Sequence, residues 1–236
     1  MSNQSLWNKD FLLDTGINFV VYLIYYLLMV IIAVVAKDQL HASLGEAGLA
    51  SGIFIVGTLL ARLQFGKAIE LYGRRMSLYG GIIFYFVTTL LYFYIPNLAI
   101  LYVIRFLNGM AYGIVSTATN TIVASCIPPE KRGQGINYYG LSTSLAAAVG
   151  PFLGMLLIVI TNFTFIITLC AVLVGLCMIG CIILHINEIE LTSEQIAKMK
   201  AMTLDNYVEY RVMVISIIGF FMGFAYSSVL TFLAAY

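Results

Sequence analysis

The sequence predicts an all-α integral membrane protein: a six-helix bundle built as a 3+3 inverted repeat, then the first helix of a second bundle. Three observations predict it. Of 236 residues, 61% are hydrophobic and 10% charged, whereas a soluble domain has about 25% charged residues, so one water-facing surface does not accommodate this composition. Seven apolar runs reach or approach the roughly 20 residues that a helix needs to cross about 30 Å of hydrocarbon. Lys and Arg also gather in alternate connections, the pattern of a chain that crosses a bilayer repeatedly.

The runs are Phe11–Ala36, Gly45–Gly66, Met76–Ile95, Leu98–Ala124, Ile136–Ile160, Phe163–Leu184 and Val212–Tyr236. Lipid leaves backbone polar groups only two solutions, helices or closed barrels. These runs are too long and too unalternating for barrel strands. The polar first ten residues and the lack of a small-residue cleavage site make the first run an uncleaved spanning helix.

The connection after segment 2 carries Lys67, Arg74 and Arg75; "IPPEKRGQG" carries Lys131 and Arg132; the connection after segment 6 carries Lys198, Lys200 and Arg211. With Lys9 these fall on one side, against Lys37 alone on the other, while "IPN" and "TNFT" hold no basic residue. The positive-inside rule therefore places the N-terminus in the cytoplasm. The charged 2–3 turn inside and the bare 5–6 turn outside match an inverted pair of triplets. In the long connection, Thr192 and Gln195 stand at capping-box spacing and predict a short surface helix. The expected division is a bundle over 1–186, a cytoplasmic linker over 187–211 and helix 7 over 212–236. An odd helix count without a polar exit leads us to expect a missing carboxy-terminal half.

A net charge of +1 without a basic run or stacking platform excludes nucleic acid as a partner. Cys126, Cys170, Cys177 and Cys181 lack the supporting ligands of a zinc site and read as small packing residues. No nucleophile–base constellation or Walker loop is present, so the sequence predicts neither an enzyme nor a cofactor.

The informative residues are polar groups in apolar surroundings. "FGKAIELYGRRMS" concentrates Lys67, Glu70, Arg74 and Arg75 between and beside Gly66 and Gly73. Gly73 permits the tight geometry that a reversal at the membrane surface needs, and Glu70 precedes Arg74 by one helical turn. In segment 4, Arg105, Asn108, Tyr112, Ser116 and Thr119 share one helix face. An arginine at membrane depth costs about 2.5–3.5 kcal/mol or more, so this stripe must line water, substrate or another helix, or close into an internal network. Segment 1 carries Asn18, Tyr22, Tyr25, Tyr26 and Met29 at helical spacing, a face suited to packing or to lipophilic substrates. Segment 5 repeats Ser142, Ala146, Gly150 and Gly154 every four residues and contains Pro151. Small residues allow close helix approach, and the proline removes a backbone donor, so this face is expected to pack and bend. Arg62 is read as reaching out to the membrane surface. All eleven carboxylates fall at segment ends or in loops, Asp14 being nearest to a membrane position.

"GKAIELYGRRMSL" resembles the cytoplasmic signature between helices 2 and 3 of the major facilitator superfamily, with Gly66, Gly73, Arg74 and Arg75 matching and Glu70 in place of the usual Asp. "LYVIRFLNGMAYG" resembles the helix 4 signature of its proton-coupled members, with Arg105, Gly109 and Gly113 in place. "AAAVGPFLGM" resembles the helix 5 signature of its drug/proton antiporters: Gly150, Pro151 and Gly154 match, while Asn137, Ala146 and Met155 stand at other glycine positions. The resemblance covers the chain as one amino-terminal half plus helix 7. It implies a secondary transporter in a plasma membrane, of bacterial type, exporting small lipophilic compounds by alternating access against protons, without a cofactor. It also implies that Glu70 meets the positive end of a helix in the missing half when the cytoplasmic side closes. Arg105 would then lie near the route of protons or substrate, with Asn108, Tyr112, Ser116, Thr119, Asn18 and Tyr22 along it. The titrating acid would be a deeper-lying Asp14 or a residue of the missing half, unless protons are not coupled. Uptake or exchange of a polar metabolite, a seven-helix receptor or scaffold, and a half-size dimeric transporter are the alternatives.

Overall fold

The computed structural model describes residues 6–186, 188 and 210–233. The long helices are α1 (Lys9–Leu40), α2 (Leu44–Tyr72), α3 (Arg74–Leu90), α4 (Leu98–Cys126), α5 (Arg132–Ile160), α6 (Phe163–Ile183) and α7 (Tyr210–Leu233). Short 3-10 turns, Leu91–Phe93 and Pro129–Lys131, follow α3 and precede α5. Six spans, from α1 to α6, are long and apolar enough to cross a membrane. α7 belongs to a second compact unit and carries an apolar stretch, Met213–Gly223. Most of the expected linker, including Thr192, Gln195, Lys198 and Lys200, lies outside the described residues.

Side-chain caps set where several helices begin. Asn8, Asn97 and Asn162 accept from the backbone amides of Phe11, Ile100 and Phe165 at 2.8, 3.0 and 2.8 Å. Ser43 and Glu46 cap α2 reciprocally. Each cap satisfies donors that the first helical turn leaves open. Several boundaries differ from the hydropathy reading: α1 runs past Ala36 to Leu40, α2 past Gly66 to Tyr72, α5 starts at Arg132 rather than Ile136, and α3 ends at Leu90, where a 3-10 turn replaces its last turn. Hydropathy marks where a chain leaves hydrocarbon, whereas the backbone helix continues into the polar layer.

The helices pair as an inverted repeat requires. The two most extensive contacts are α2–α4 and α1–α5, which exchange when the triplet α1–α3 is swapped with α4–α6. α3–α4 exchanges with α1–α6 in the same way, and α1–α4 and α3–α6 map onto themselves. Small residues bring both principal pairs together. A methyl group on Gly57 would overlap the Phe106 carbonyl, and one on Gly109 would overlap the Phe54 carbonyl. A methyl on Gly113 would lie 2.8 Å from Ala61 Cβ. Across α1–α5, a methyl on Gly150 would lie 2.7 Å from Tyr26 Cβ, and one on Gly154 3.0 Å from the Leu27 carbonyl oxygen. In lipid, where apolar burial gives helices little reason to associate, such backbone proximity supplies the dispersion contacts that hold a bundle.

The interior is apolar, with Ile24, Leu28, Ile31, Ile82, Tyr85 and Ile166 among its fully enclosed side chains. Leu59, Leu63, Val159 and Ile182 are exposed, as lipid-facing residues are. At one end, Asn8 Nδ2 donates to the Cys126 carbonyl at 3.0 Å, the His185 amide donates to Asp10 Oδ1 at 3.0 Å, and Glu188 accepts from the amides of Arg74 and Arg75 at 2.8 Å each. The start of α1, the end of α4, the α2–α3 turn and the exit of α6 therefore meet there. This is the end where Lys9, Arg74, Arg75, Lys131 and Arg132 fall.

Replacing Gly109 with Val is expected to lower the melting temperature of the purified protein by about 5–10 °C, because overpacking separates α2 from α4. Gly175→Ala, where nothing lies within 4 Å, is the control and should shift it by less than about 2 °C. Thermal unfolding followed by size-exclusion fluorescence compares the two.

Candidate functional site

The α4 face is buried throughout: Arg105, Asn108, Tyr112, Ser116 and Thr119 are all enclosed. Arg105 is wholly inaccessible. Its Nε donates to the Ala50 carbonyl at 3.0 Å, Nη1 to the Tyr92 hydroxyl at 3.4 Å and Nη2 to the Ser51 carbonyl at 3.5 Å. Its guanidinium carbon stands 4.5 Å from the centroid of the Phe54 ring. Carbonyl dipoles, a hydroxyl and a ring quadrupole thus compensate the charge, with no carboxylate bonded to it. Asn108 Nδ2 donates to Thr88 Oγ1 at 3.0 Å, and the Tyr92 hydroxyl reaches Asn108 Oδ1 at 3.5 Å. Arg105 and Asn108 therefore belong to a polar network among α2, α3 and α4. Farther along, Tyr112 and Ser116 turn toward α1 and α2, and Thr119 Oγ1 donates back to the Ser116 carbonyl at 3.1 Å.

α1 brings aromatic rings to that second part. Tyr25 stacks on Phe54 at 5.0 Å and 19°, and lies 5.0 Å from Tyr112 and 4.7 Å from Tyr26. Tyr22 meets Tyr112 edge-on at 5.3 Å. Arg62, expected to reach out of the bilayer, instead donates from Nη2 to Ser116 Oγ at 3.3 Å. The Ala61–Gly113 contact brings α4 within its reach, so an internal acceptor competes with the surface.

Nearer the start of α1, Asn18 Nδ2 donates to Ser142 Oγ at 3.0 Å and Thr143 Oγ1 at 3.2 Å on α5. Asp14 corrects the reading that every carboxylate lies at a segment end or in a loop. It is 0% exposed, and neither of its oxygens has a hydrogen-bond partner. Helices α4, α5 and α6 all pack against α1. α1 begins at Lys9, and these helices enclose its first turns.

The charged turn is a one-residue reversal. Gly73 adopts φ 91° and ψ 142°, a positive φ that a side chain would strain. Arg74 donates to Glu70 Oε1 from Nε at 3.2 Å and from Nη2 at 2.8 Å. Arg75 Nε donates to the Tyr79 hydroxyl at 3.3 Å, which donates to the Cys181 carbonyl at 3.1 Å. Gly73 gives α3 no side-chain cap; the Glu188 carboxylate supplies one through the amides of Arg74 and Arg75. Within this chain, Glu70 holds Arg74, and the carboxylate on a helix N-terminus is Glu188. Gly66 lies in the continuous α2 with no neighbour within 4 Å, and the Lys67 side chain lies outside the described residues.

On α5, Ala146, Gly150 and Gly154 are buried, and Pro151 lies inside the unbroken Arg132–Ile160 helix. The four cysteines are free. Among the described residues no cluster of three His, Cys, Asp or Glu could hold a metal.

Sequence reasoning did not single out Phe54, Tyr92, Gly57 or Glu188. Phe54 and Tyr92 look like ordinary apolar residues in their own segments, and their roles arise from contacts between helices.

Two outcomes follow. Glu188→Ala is expected to destabilise the bundle by about 1 kcal/mol, as loss of a cap does, and to speed amide exchange at Arg74 and Arg75 in hydrogen-exchange mass spectrometry. Arg105→Ala should insert normally yet melt about 5–10 °C lower, because it leaves a cavity beside Phe54 and removes the donor facing Tyr92; Arg105→Lys should recover less than half, lacking the planar fork.

The Major Facilitator Superfamily family model matches residues 15–236. The chain is 24% identical over 152 residues to the uncharacterized MFS-type transporter MJ1560 of Methanocaldococcus jannaschii, covering 64% of this chain and 37% of that protein. It is 27% identical over 104 residues to multidrug resistance protein 3 of Bacillus subtilis, covering 44% and 20%. It is 31% identical over 110 residues to hexose transporter HXT10 of Saccharomyces cerevisiae, covering 46% and 19%. In fold it is similar to the crystal structure of peptide transporter POT (E310Q mutant) in complex with alafosfalin, with a TM-score of 0.64 and 16% identity, over 95% of this chain and 46% of that one. The chain thus spans less than half the length of these proteins. Its six apolar spans and internal pairing agree with the match that covers nearly all of it, and the chain belongs to the Major Facilitator Superfamily, a family of transporters rather than enzymes.

Proposed function

We propose that this chain is the amino-terminal half, with helix 7, of a secondary transporter that exports small lipophilic compounds by alternating access, driven by proton antiport. The observation that carries the reading is the enclosure of two ionisable side chains, Arg105 and Asp14, inside a membrane bundle of this family. Ionisable groups at membrane depth are rare and mark transport routes. Their environments differ in a useful way. Arg105 is held by three donated hydrogen bonds and a ring, which suits a fixed charge. Asp14 is buried with no hydrogen-bond partner among the described residues, and burial without a partner is costly for a charge.

In this reading Asp14 carries the proton. Motion that admits water between α1 and α5 lets it ionise, and reclosure takes a proton up again. The glycines Gly150 and Gly154 on α5, with Pro151 between them, provide the bendable interface for that motion. The turn with Gly66, Glu70, Gly73, Arg74 and Arg75 works as a gate against the second bundle, with residues 187–211 as the cytoplasmic linker and the amino terminus on the same side of the plasma membrane. Exposed charge pairs contribute only about 0–1 kcal/mol each, and states a few kcal/mol apart suffice for switching. The substrate route follows Tyr112, Ser116 and Thr119 on α4 with Asn18 and Tyr22 on α1, while Arg105 and Asn108 brace it. Uptake or exchange of a polar metabolite is the second reading, favoured by the hydroxyl- and amide-rich α4 face and by relatives named for hexose and metabolite transport.

The test is reconstitution of the intact protein in vesicles with an imposed pH gradient. Asp14→Asn should lose gradient-driven accumulation at least ten-fold while retaining substrate exchange at equal pH. Unchanged response to the gradient in that variant would remove Asp14 from the mechanism, and gradient-independent flux in the wild type would remove proton coupling.

A further inference from the structure

The seam of α1, α2 and α4 carries two arginines, Arg62 and Arg105, and among the described residues neither is bonded to an acid; the buried acid of α1, Asp14, lies two turns before Tyr22. Arg62 leaves the flank of α2 one residue after Ala61, whose contact with Gly113 sets the local spacing to α4. Its side chain is exposed, and its hydrogen-bond partner among the described residues is the Ser116 hydroxyl. A neutral hydroxyl leaves most of a guanidinium's five donors unused. Ser116 lies one turn from Tyr112 on α4, and Tyr25 packs 5.0 Å from Tyr112, so Arg62 and these rings share one region. On α2 itself, Glu46 is engaged by Ser43 at the opposite end. Glu70 is held by Arg74 and lies eight residues beyond Arg62, roughly 12 Å along the helix. α4 and α5 contain no Asp or Glu at all.

Three features therefore coincide: an exposed guanidinium with spare donors, a second cation fixed behind Phe54, and the partly exposed rings of Tyr22 and Tyr25, backed by the buried Tyr112. Arg105 is fully enclosed and its donors are engaged, so it contributes field rather than contact. Arg62 can make contact. A planar fork in low-dielectric surroundings binds carboxylate or sulfonate through paired, charge-assisted hydrogen bonds, and aromatic faces accept an apolar or aromatic body.

We propose that Arg62, with Tyr22 and Tyr25, forms a binding site for amphiphilic organic anions, the acid group seated on Arg62 and the apolar body against the two tyrosines, which Tyr112 supports from behind. This rests on the transport reading above and narrows its substrate class from lipophilic compounds in general to those bearing one negative charge.

The experiment measures thermal shifts of the intact purified protein with 2-naphthoate and with the similarly shaped cation 2-naphthylmethylammonium. Naphthoate is expected to raise the melting temperature in a saturable manner and the cation to leave it unchanged. Arg62→Gln should weaken naphthoate on the order of ten- to hundred-fold, the loss expected for a hydrogen bond to a charged group, and Arg62→Lys should retain part of the affinity. Equal stabilisation by the cation, or no stabilisation by naphthoate, overturns the proposal on the wild type alone, whatever the variants do. A naphthoate shift that survives in Arg62→Gln overturns the assignment to Arg62. Vesicle flux measured in parallel separates the two readings: anion-selective binding without flux sinks the transport reading, and flux indifferent to charge sinks this one.

Discussion

The contact between α2 and α4 is the constraint from which the rest of the bundle follows. Gly57, Gly109 and Gly113 remove the side chains that would hold the two backbones apart. The Thr58 hydroxyl then reaches the Gly109 carbonyl at 3.0 Å, adding a polar bond across the same seam. Because α2 lies so close, the carbonyls of Ala50 and Ser51 and the face of Phe54 come within reach of Arg105. The next turns put Arg62 beside Ser116. The inverted partner of this contact, α1 on α5, uses Gly150 and Gly154 in the same way and places Asn18 against Ser142. One packing device, applied twice, thus positions both polar regions.

The bundle treats its two enclosed charges differently, and the difference is physical. Arg105 has dipoles and a quadrupole arranged around it, so its charge is stabilised without a counterion and its side chain is fixed. Removing a partner from such a site leaves an uncompensated group, and the network therefore resists change. Asp14 has burial without partners. A bare carboxylate in such surroundings is costly, whereas the arginine is stabilised by groups already in place.

The charged turn joins these regions to the chain that follows. Gly73 permits a reversal in one residue but offers α3 no cap, and Glu188 fills that role from beyond α6. The positive end of α3 and two amide donors thus hold the first part of the following segment. With Asp10 on the His185 amide and Asn8 on the Cys126 carbonyl, the ends of four helices become one tied layer.

The sequence by itself determined the class of protein, the order of its first six spans, and the family, because these depend on composition, run length and short local signatures. The Glu70–Arg74 pair and the left-handed Gly73 were legible for the same reason, each lying within four residues of chain. Helical spacing also gathered Arg105, Asn108, Tyr112, Ser116 and Thr119 on one face. Only the tertiary structure decided what that face meets, since burial and partners come from other helices. It enclosed Asp14, which hydropathy places at a segment end, set Arg62 on the Ser116 hydroxyl of α4, and made Phe54, Tyr92 and Glu188 neighbours of residues 13 to 114 positions away. Periodicity along one helix fixes direction around its axis, and no local pattern carries the identity of the helix that packs against it.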